Sequence, residues 1–150
     1  MLFRSQALTA LSRAGVVVLR RSALYETEPV GASPQRWFVN CVAEVETELM
    51  PLALLRLLKR IERELGRNPS SGARPAARSI DVDIVAYGQH VEDSPELTLP
   101  HPRLAERRFV LQPLLELAPN WRHPITHISA AEMLAALRDP AAVRRLRSST

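Results

Sequence analysis

Two aspartates one residue apart, Asp81 and Asp83, stand just beyond two arginines, Arg74 and Arg78, in the segment Arg74-Pro-Ala-Ala-Arg-Ser-Ile-Asp-Val-Asp-Ile-Val85. On a β-strand side chains alternate faces, so the two carboxylates point the same way, roughly 6.6 Å apart along the chain. Ile80, Val82 and Ile84 then point the opposite way, toward a core. Like charges side by side on a sheet face repel, and stabilise nothing unless cations sit between them. Hard divalent ions such as Mg2+ take oxygen ligands of this kind, with substrate phosphates completing the coordination. Arg74 and Arg78 add forked donors suited to phosphate oxygens. The pattern predicts a site for Mg2+ and a polyphosphate. A bare Asp-x-Asp is common, and the plain alternative is a solvated strand face beside a basic loop. The two arginines at their spacing favour the chemical reading.

The rest of the chain bounds what can carry such a site. One domain of 150 residues buries most of its apolar surface without staples. Hydrophobic content of 46% and charged content of 24% are those of an ordinary globular protein. Apolar runs such as Ala14–Leu19 are too short to cross a bilayer, and the sequence predicts no membrane association. The single cysteine, Cys41, lies in an apolar strand and reads as buried filler, in keeping with a reducing, cytoplasmic setting.

The net charge of +4 is not spread along a stripe. Residues 1–25 hold four arginines and no acid, residues 138–150 hold four arginines and Asp139, and 26–137 hold twelve basic and fifteen acidic residues. With few aromatics and no nucleic-acid motif, a basic nucleic-acid-binding module is a poor second reading. The basic start Met1–Arg21 has the composition of a transit peptide, but ordinary helix suits it better.

Periodicity supplies the elements. Leu2–Ala14 reads as a helix ended by Gly15, and Val16–Tyr25 as a strand. Thr27–Arg36, with two prolines and a glycine, reads as a loop. Trp37–Glu48 alternates as one long strand, with Phe38 and Asn40 on the uncovered face. Pro51–Leu65 is a helix with Leu54, Leu58, Ile61 and Leu65 in one stripe, and Gly66 its stop. Arg67–Arg78 is a basic loop, and Ser79–Tyr87 is the Asp-x-Asp strand. Residues 88–102 give turns and a short extended piece. Arg103–Leu117 is helical but broken at Pro113, Ala130–Leu137 is a last helix, and the tail after Pro140 is loose. This order predicts an α+β sandwich, with helices on one face of a mainly antiparallel sheet.

The segment Arg74–Val85 resembles the characteristic stretch of the 6-hydroxymethyl-7,8-dihydropterin pyrophosphokinases. The resemblance continues in Ser22–Gly31 (SALYETEPVG), Phe38-Val-Asn40, Ile61–Arg67 (IERELGR), Leu97–Arg103 (LTLPHPR) and Arg107–Pro119 (RRFVLQPLLELAP), ordered blocks over about two-thirds of the chain. It implies a ferredoxin-like fold and transfer of a pyrophosphoryl group from ATP to the hydroxymethyl group of the dihydropterin, giving AMP, in folate biosynthesis. It also implies roles. Asp81 and Asp83 would hold two Mg2+ ions. Arg67, Arg74 and Arg78 would neutralise the phosphates, and His101 and Arg107 would contact the triphosphate. Ile84, Leu97 and Thr98 would line the adenine pocket. Phe38 and Phe109 would sandwich the pterin ring, Asn40 would meet its edge, and Thr27 with the Pro29–Gly31 turn would offer further groups there. Partners would be the two small-molecule substrates alone, with a monomeric, cytoplasmic protein.

Two departures stand out. Pro75 replaces a large residue that many members carry, in a loop about one residue longer than in some. Members also open with a strand and a Gly-Ser-Asn turn ahead of the first helix, whereas Met1 here lies at or inside that helix. A marginal or rearranged fold is therefore expected, with the missing strand encoded upstream of Met1. An inactive remnant that binds pterin or nucleotide without turnover is the alternative.

Overall fold

The computed structural model describes residues 2–28, 38–66, 81–138 and 143–146. Arg67, Arg74, Arg78, Pro29 and Gly31 lie outside the described residues. In chain order the elements are α1 (Leu2–Arg13), β1 (Val17–Arg21), β2 (Tyr25–Thr27), β3 (Phe38–Asn40), β4 (Ala43–Glu46), α2 (Pro51–Gly66), β5 (Glu92–Asp93), β6 (Thr98–Leu99), α3 (Arg108–Leu117), α4 (Ala130–Ala136) and β7 (Val143–Arg145). The fold is α+β, and every strand pairing among the described residues is antiparallel.

The helices follow their apolar stripes. Leu54, Leu57, Leu58 and Ile61 of α2 are buried, each worth about 1.5–3 kcal/mol on full burial. Ala7 and Leu11 of α1 are buried too, and α1 packs on α2. After α1, Gly15 takes φ +90°, the left-handed conformation that glycine reaches without steric cost. α4 begins at Ser129, whose Oγ accepts the Glu132 amide at 3.1 Å, an ordinary N-cap.

The expected long strand Trp37–Glu48 is instead two. β3 pairs with β2, with Tyr25 opposite Asn40 and Thr27 opposite Phe38, whereas β4 pairs with β1. Ser22 and Val42 hold the corner between them. The Ser22 amide donates to Val42 O at 2.8 Å, and the Val42 amide donates back to Ser22 Oγ at 3.0 Å. A side-chain acceptor at that step ends one ladder and lets the next begin in a new direction. The same corner divides the expected strand Val16–Tyr25 into β1 and β2.

Three further expectations are corrected. Residues 81–87 run extended but join no ladder among the described residues. Their main chain is met otherwise: the Val82 amide donates to Glu62 Oε1 at 2.6 Å, and Val85 O accepts the His101 amide at 2.8 Å. The segment Arg103–Leu117 breaks at Arg107, between a 3₁₀ turn over Leu104–Glu106 and α3, and α3 continues through Pro113. Past Pro140 the chain is not wholly loose, because Val143–Arg145 pairs with Tyr25–Thr27 to complete a sheet ordered β3-β2-β7.

Two apolar clusters flank the 81–87 segment. Ile84 belongs to the first, with Leu11, Val16, Leu97, Leu99 and the α2 stripe, and Val82 packs against it. Val85 packs against the second, built from Leu104, Leu111, Leu114, Ala130 and Met133. Val82 and Ile84 thus leave on one side and Val85 on the other, as extended backbone demands, while Tyr87 at the segment's end returns to the first cluster.

Candidate active site

Asp81, Asp83 and Val85 open onto a cavity of about 120 Å³. Asp81, Asp83 and Val85 form one wall, and Asn40, Cys41 and Val42 form the facing one. His101, Leu104, Arg107, Phe109 and Val110 close the third side. The two aspartates are solvent-exposed and share this space, as their spacing predicts. Among the described residues no group of three or more His, Cys, Asp or Glu side chains could by itself cage a metal. Two exposed carboxylates with room left over suit Mg2+, which keeps waters and substrate phosphates as most of its ligands.

His101 stands at the mouth of β6, after a cis Leu99–Pro100 peptide. Its Nδ1 accepts the Arg103 amide at 3.1 Å. In the neutral ring the proton therefore sits on Nε2, leaving a donor free of the main chain. Burial lowers its pKa below the usual 6.5, Arg107 and Arg103 push the same way, and Asp83 opposes them. The Arg107 guanidinium lies 5.4 Å from the centroid of the Phe109 ring, a cation–π arrangement that spreads the guanidinium over the aromatic face.

The β2–β3 pair supplies the other half. Thr27, Phe38, Asn40 and Tyr25 share one face, because directly opposed residues of an antiparallel pair project together. Phe38 is 59% exposed, a large ring open to a flat ligand. Thr27 is only 5% exposed, yet its Oγ1 has no hydrogen-bond partner among the described residues, and neither has the buried Oδ1 of Asn40. The orientation of Asn40 is fixed, since its Nδ2 donates to Phe109 O at 2.7 Å, and a carbonyl can only accept. Buried acceptors left unmatched cost about 1–3 kcal/mol each, so two on the same face point to a ligand that supplies donors.

Tyr25, next to Asn40 across the ladder, also reaches α3. Its hydroxyl donates to Glu116 Oε1 at 2.6 Å, while Glu116 Oε2 accepts the Ala23 amide at 2.9 Å. Burial raises the Tyr25 pKa to about 12, helped by the Glu116 carboxylate and opposed by Arg145. The β2–β3 pair is thus fastened to both ends of α3, at Phe109 and at Glu116.

Asp81, Asp83, His101, Arg107, Asn40 and Phe109 therefore meet around one cavity. Ile84 and Leu97 do not join them, because their side chains are committed to the first core cluster, and Thr98 is half-buried on β6. Cys41, expected as buried filler, is half-buried and lines the cavity. Sequence reasoning missed Glu116, whose partners lie more than 90 residues away and leave no local signal. A larger groove of about 520 Å³, lined by Ala14, Leu49, Ala53, Arg56, Leu57, Arg60 and Arg63, contains none of the expected site residues and no carboxylate. Geometry and chemistry favour the smaller cavity. No helix among the described residues is long and apolar enough to cross a membrane.

Residues 3–119 match the family model of 7,8-dihydro-6-hydroxymethylpterin-pyrophosphokinase. The folic acid synthesis protein fol1 of Pneumocystis carinii is 42% identical over 137 residues, 91% of this chain and 18% of that protein. A folate synthesis bifunctional protein of Arabidopsis thaliana is 45% identical over 112 residues, 75% of this chain and 23% of that one. The 2-amino-4-hydroxy-6-hydroxymethyldihydropteridine pyrophosphokinase of Bacillus subtilis is 42% identical over 104 residues, 69% of this chain and 61% of its own length. The chain thus spans less than a quarter of the first two relatives and under two-thirds of the third. With more than half of its residues matched, it belongs to the 7,8-dihydro-6-hydroxymethylpterin-pyrophosphokinase family.

Proposed function

We propose that this chain transfers the terminal pyrophosphoryl group of ATP to the hydroxymethyl group of 6-hydroxymethyl-7,8-dihydropterin, releasing AMP, as a step of folate synthesis. The observation that carries this reading is the cavity shared by an exposed carboxylate pair and Asn40, whose buried Oδ1 has no partner among the described residues, with the unpartnered Thr27 Oγ1 and the exposed Phe38 ring on the same face of the β2–β3 pair. The first suits a magnesium nucleotide, and the second a flat heterocycle rich in N–H donors.

Asp81 and Asp83 would hold Mg2+, two ions by family resemblance, which when bound draws charge from the phosphates and lowers the pKa of the substrate hydroxyl. The chain's own groups do the rest. Asn40 Oδ1 and Thr27 Oγ1 accept from the aminopyrimidinone edge, while Phe38 and Phe109 flank the ring. Arg107 and the Nε2–H of His101 donate to phosphate oxygens. Arg67, Arg74 and Arg78 complete the neutralisation of the phosphates, and the Pro29–Gly31 turn completes the pterin edge. Adenine falls to Thr98 and to the main chain at Ile84 and Leu97. The substrate oxygen attacks the β-phosphorus, the bond to the α–β bridging oxygen breaks, AMP departs, and the hydroxyl proton passes to solvent.

A coupled assay with ATP and the dihydropterin tests this reading. AMP should form only when both substrates are present. Formation of ADP, or nucleotide hydrolysis indifferent to the pterin, would refute it.

A further inference from the structure

Pro113 is the sixth residue of α3 (Arg108–Leu117) and is almost completely buried. A proline inside a helix costs about 3 kcal/mol or more, so its presence asks for a compensating use. It has no N–H, and the carbonyl four residues back, that of Phe109, loses the helical donor it would otherwise receive from position 113. The ring also crowds that carbonyl and tilts it away from the helix axis. Phe109 O is the atom that accepts the Asn40 amide at 2.7 Å. Asn40 in turn has its Oδ1 buried without a partner among the described residues.

We propose that Pro113 is a positioning residue for ring recognition: it reserves the Phe109 carbonyl for Asn40 Nδ2 and so aims Asn40 Oδ1 at the ligand. Glu116, one helical turn further on, holds Tyr25 directly across the ladder from Asn40, so the strand bearing Asn40 cannot swing to follow a changed carbonyl. The proposal rests on the pterin reading of this half of the site. It assigns specificity to a residue that never touches the ligand.

The test is Pro113→Ala, compared with wild type for thermal midpoint, for affinity toward 6-hydroxymethylpterin, and for affinity toward a non-hydrolysable ATP analogue. Alanine restores the helical donor, so the midpoint should hold or rise while pterin affinity falls about five- to tenfold, the worth of one hydrogen bond. Nucleotide affinity should stay within about twofold, because Asp81, Asp83 and His101 lie off α3 and Arg107 only caps its start, away from Pro113. The side-chain amide resonances of Asn40 should shift in the variant even without ligand. A merely structural proline predicts the opposite pattern, with stability and both affinities falling together, and that outcome overturns the proposal. So does unchanged pterin affinity, or an unmoved Asn40 amide. Wild-type protein that binds the nucleotide analogue but no pterin overturns the functional reading itself, and with it the consequence assigned to Pro113.

Discussion

The two walls of the cavity are held by different balances of hydrogen bonding and apolar packing. The Asn40 wall is fixed by backbone ladders on both sides of β2 and by hydrogen bonds to both ends of α3. The Asp81–Asp83 wall has no ladder among the described residues, and is held by two isolated main-chain hydrogen bonds, to Glu62 and from His101, and by Ile84 and Val82 on one core cluster and Val85 on the other. Hydrogen bonds are directional and fix a recognition edge to tenths of an ångström, whereas apolar packing tolerates small shifts. On the proposed function, the wall built the first way meets the heterocycle and the wall built the second carries the hydrated ion.

The sharpest break between the walls comes from their charges. Asp81→Ala or Asp83→Ala should lower AMP formation by about 10³-fold or more, since each removes an anchor for transition-state charge. Both side chains are exposed, so the thermal midpoint should scarcely move. Equal loss of midpoint and activity would place these residues in the scaffold instead.

Core substitutions come next and should divide by wall. Leu111→Ala, at a fully buried site in the second cluster, should cost about 2–5 kcal/mol in urea unfolding and weaken pterin binding through α3. Ile84→Ala should cost a similar amount, about 2–5 kcal/mol, but weaken nucleotide binding instead. If both variants weaken both ligands equally, the walls are not independent.

Titration separates them further. His101, with its pKa held below 6.5 by burial and Arg107, should add stability above pH 6.5 that is lost as pH falls through its folded value, because the unfolded chain then takes up the proton more readily. Tyr25, raised to about 12, behaves oppositely. Its contribution is whole below the unfolded value of 10.0 and is lost as pH rises through about 12. Ultraviolet titration of Tyr25→Phe, which leaves Tyr87 as the remaining phenol, assigns the late transition. The smallest effect belongs to Arg20→Ala. Its pair with Glu44 at 2.9 Å is largely solvated, and its loss should shift stability by no more than about 1 kcal/mol.

Much of this was legible in the chain, and the rest was hidden for physical reasons. Helix α2 declared itself through Leu54, Leu58 and Ile61, and the shared direction of Asp81 and Asp83 followed from strand geometry alone. The corner at Ser22 and Val42 was not legible, because alternation runs unbroken through Trp37–Glu48, and only a hydroxyl 20 residues away interrupts the ladder. Pairing of Val143–Arg145 with β2 was likewise hidden, since three residues after a proline carry no periodicity. Pro113 misled in the useful direction. In the sequence it reads as a helix break, whereas burial of its neighbours Leu111 and Leu114 in the second cluster keeps α3 intact and the freed carbonyl finds Asn40.

The central claim is that Asp81 and Asp83 anchor a magnesium nucleotide. Isothermal titration with an ATP analogue whose α–β bridging oxygen is a methylene group, with and without Mg2+, addresses it most directly. The account predicts binding at least about tenfold tighter with Mg2+, and loss of that gain in the Asp81→Ala, Asp83→Ala double variant. Binding indifferent to Mg2+, or a double variant that keeps the gain, would contradict it.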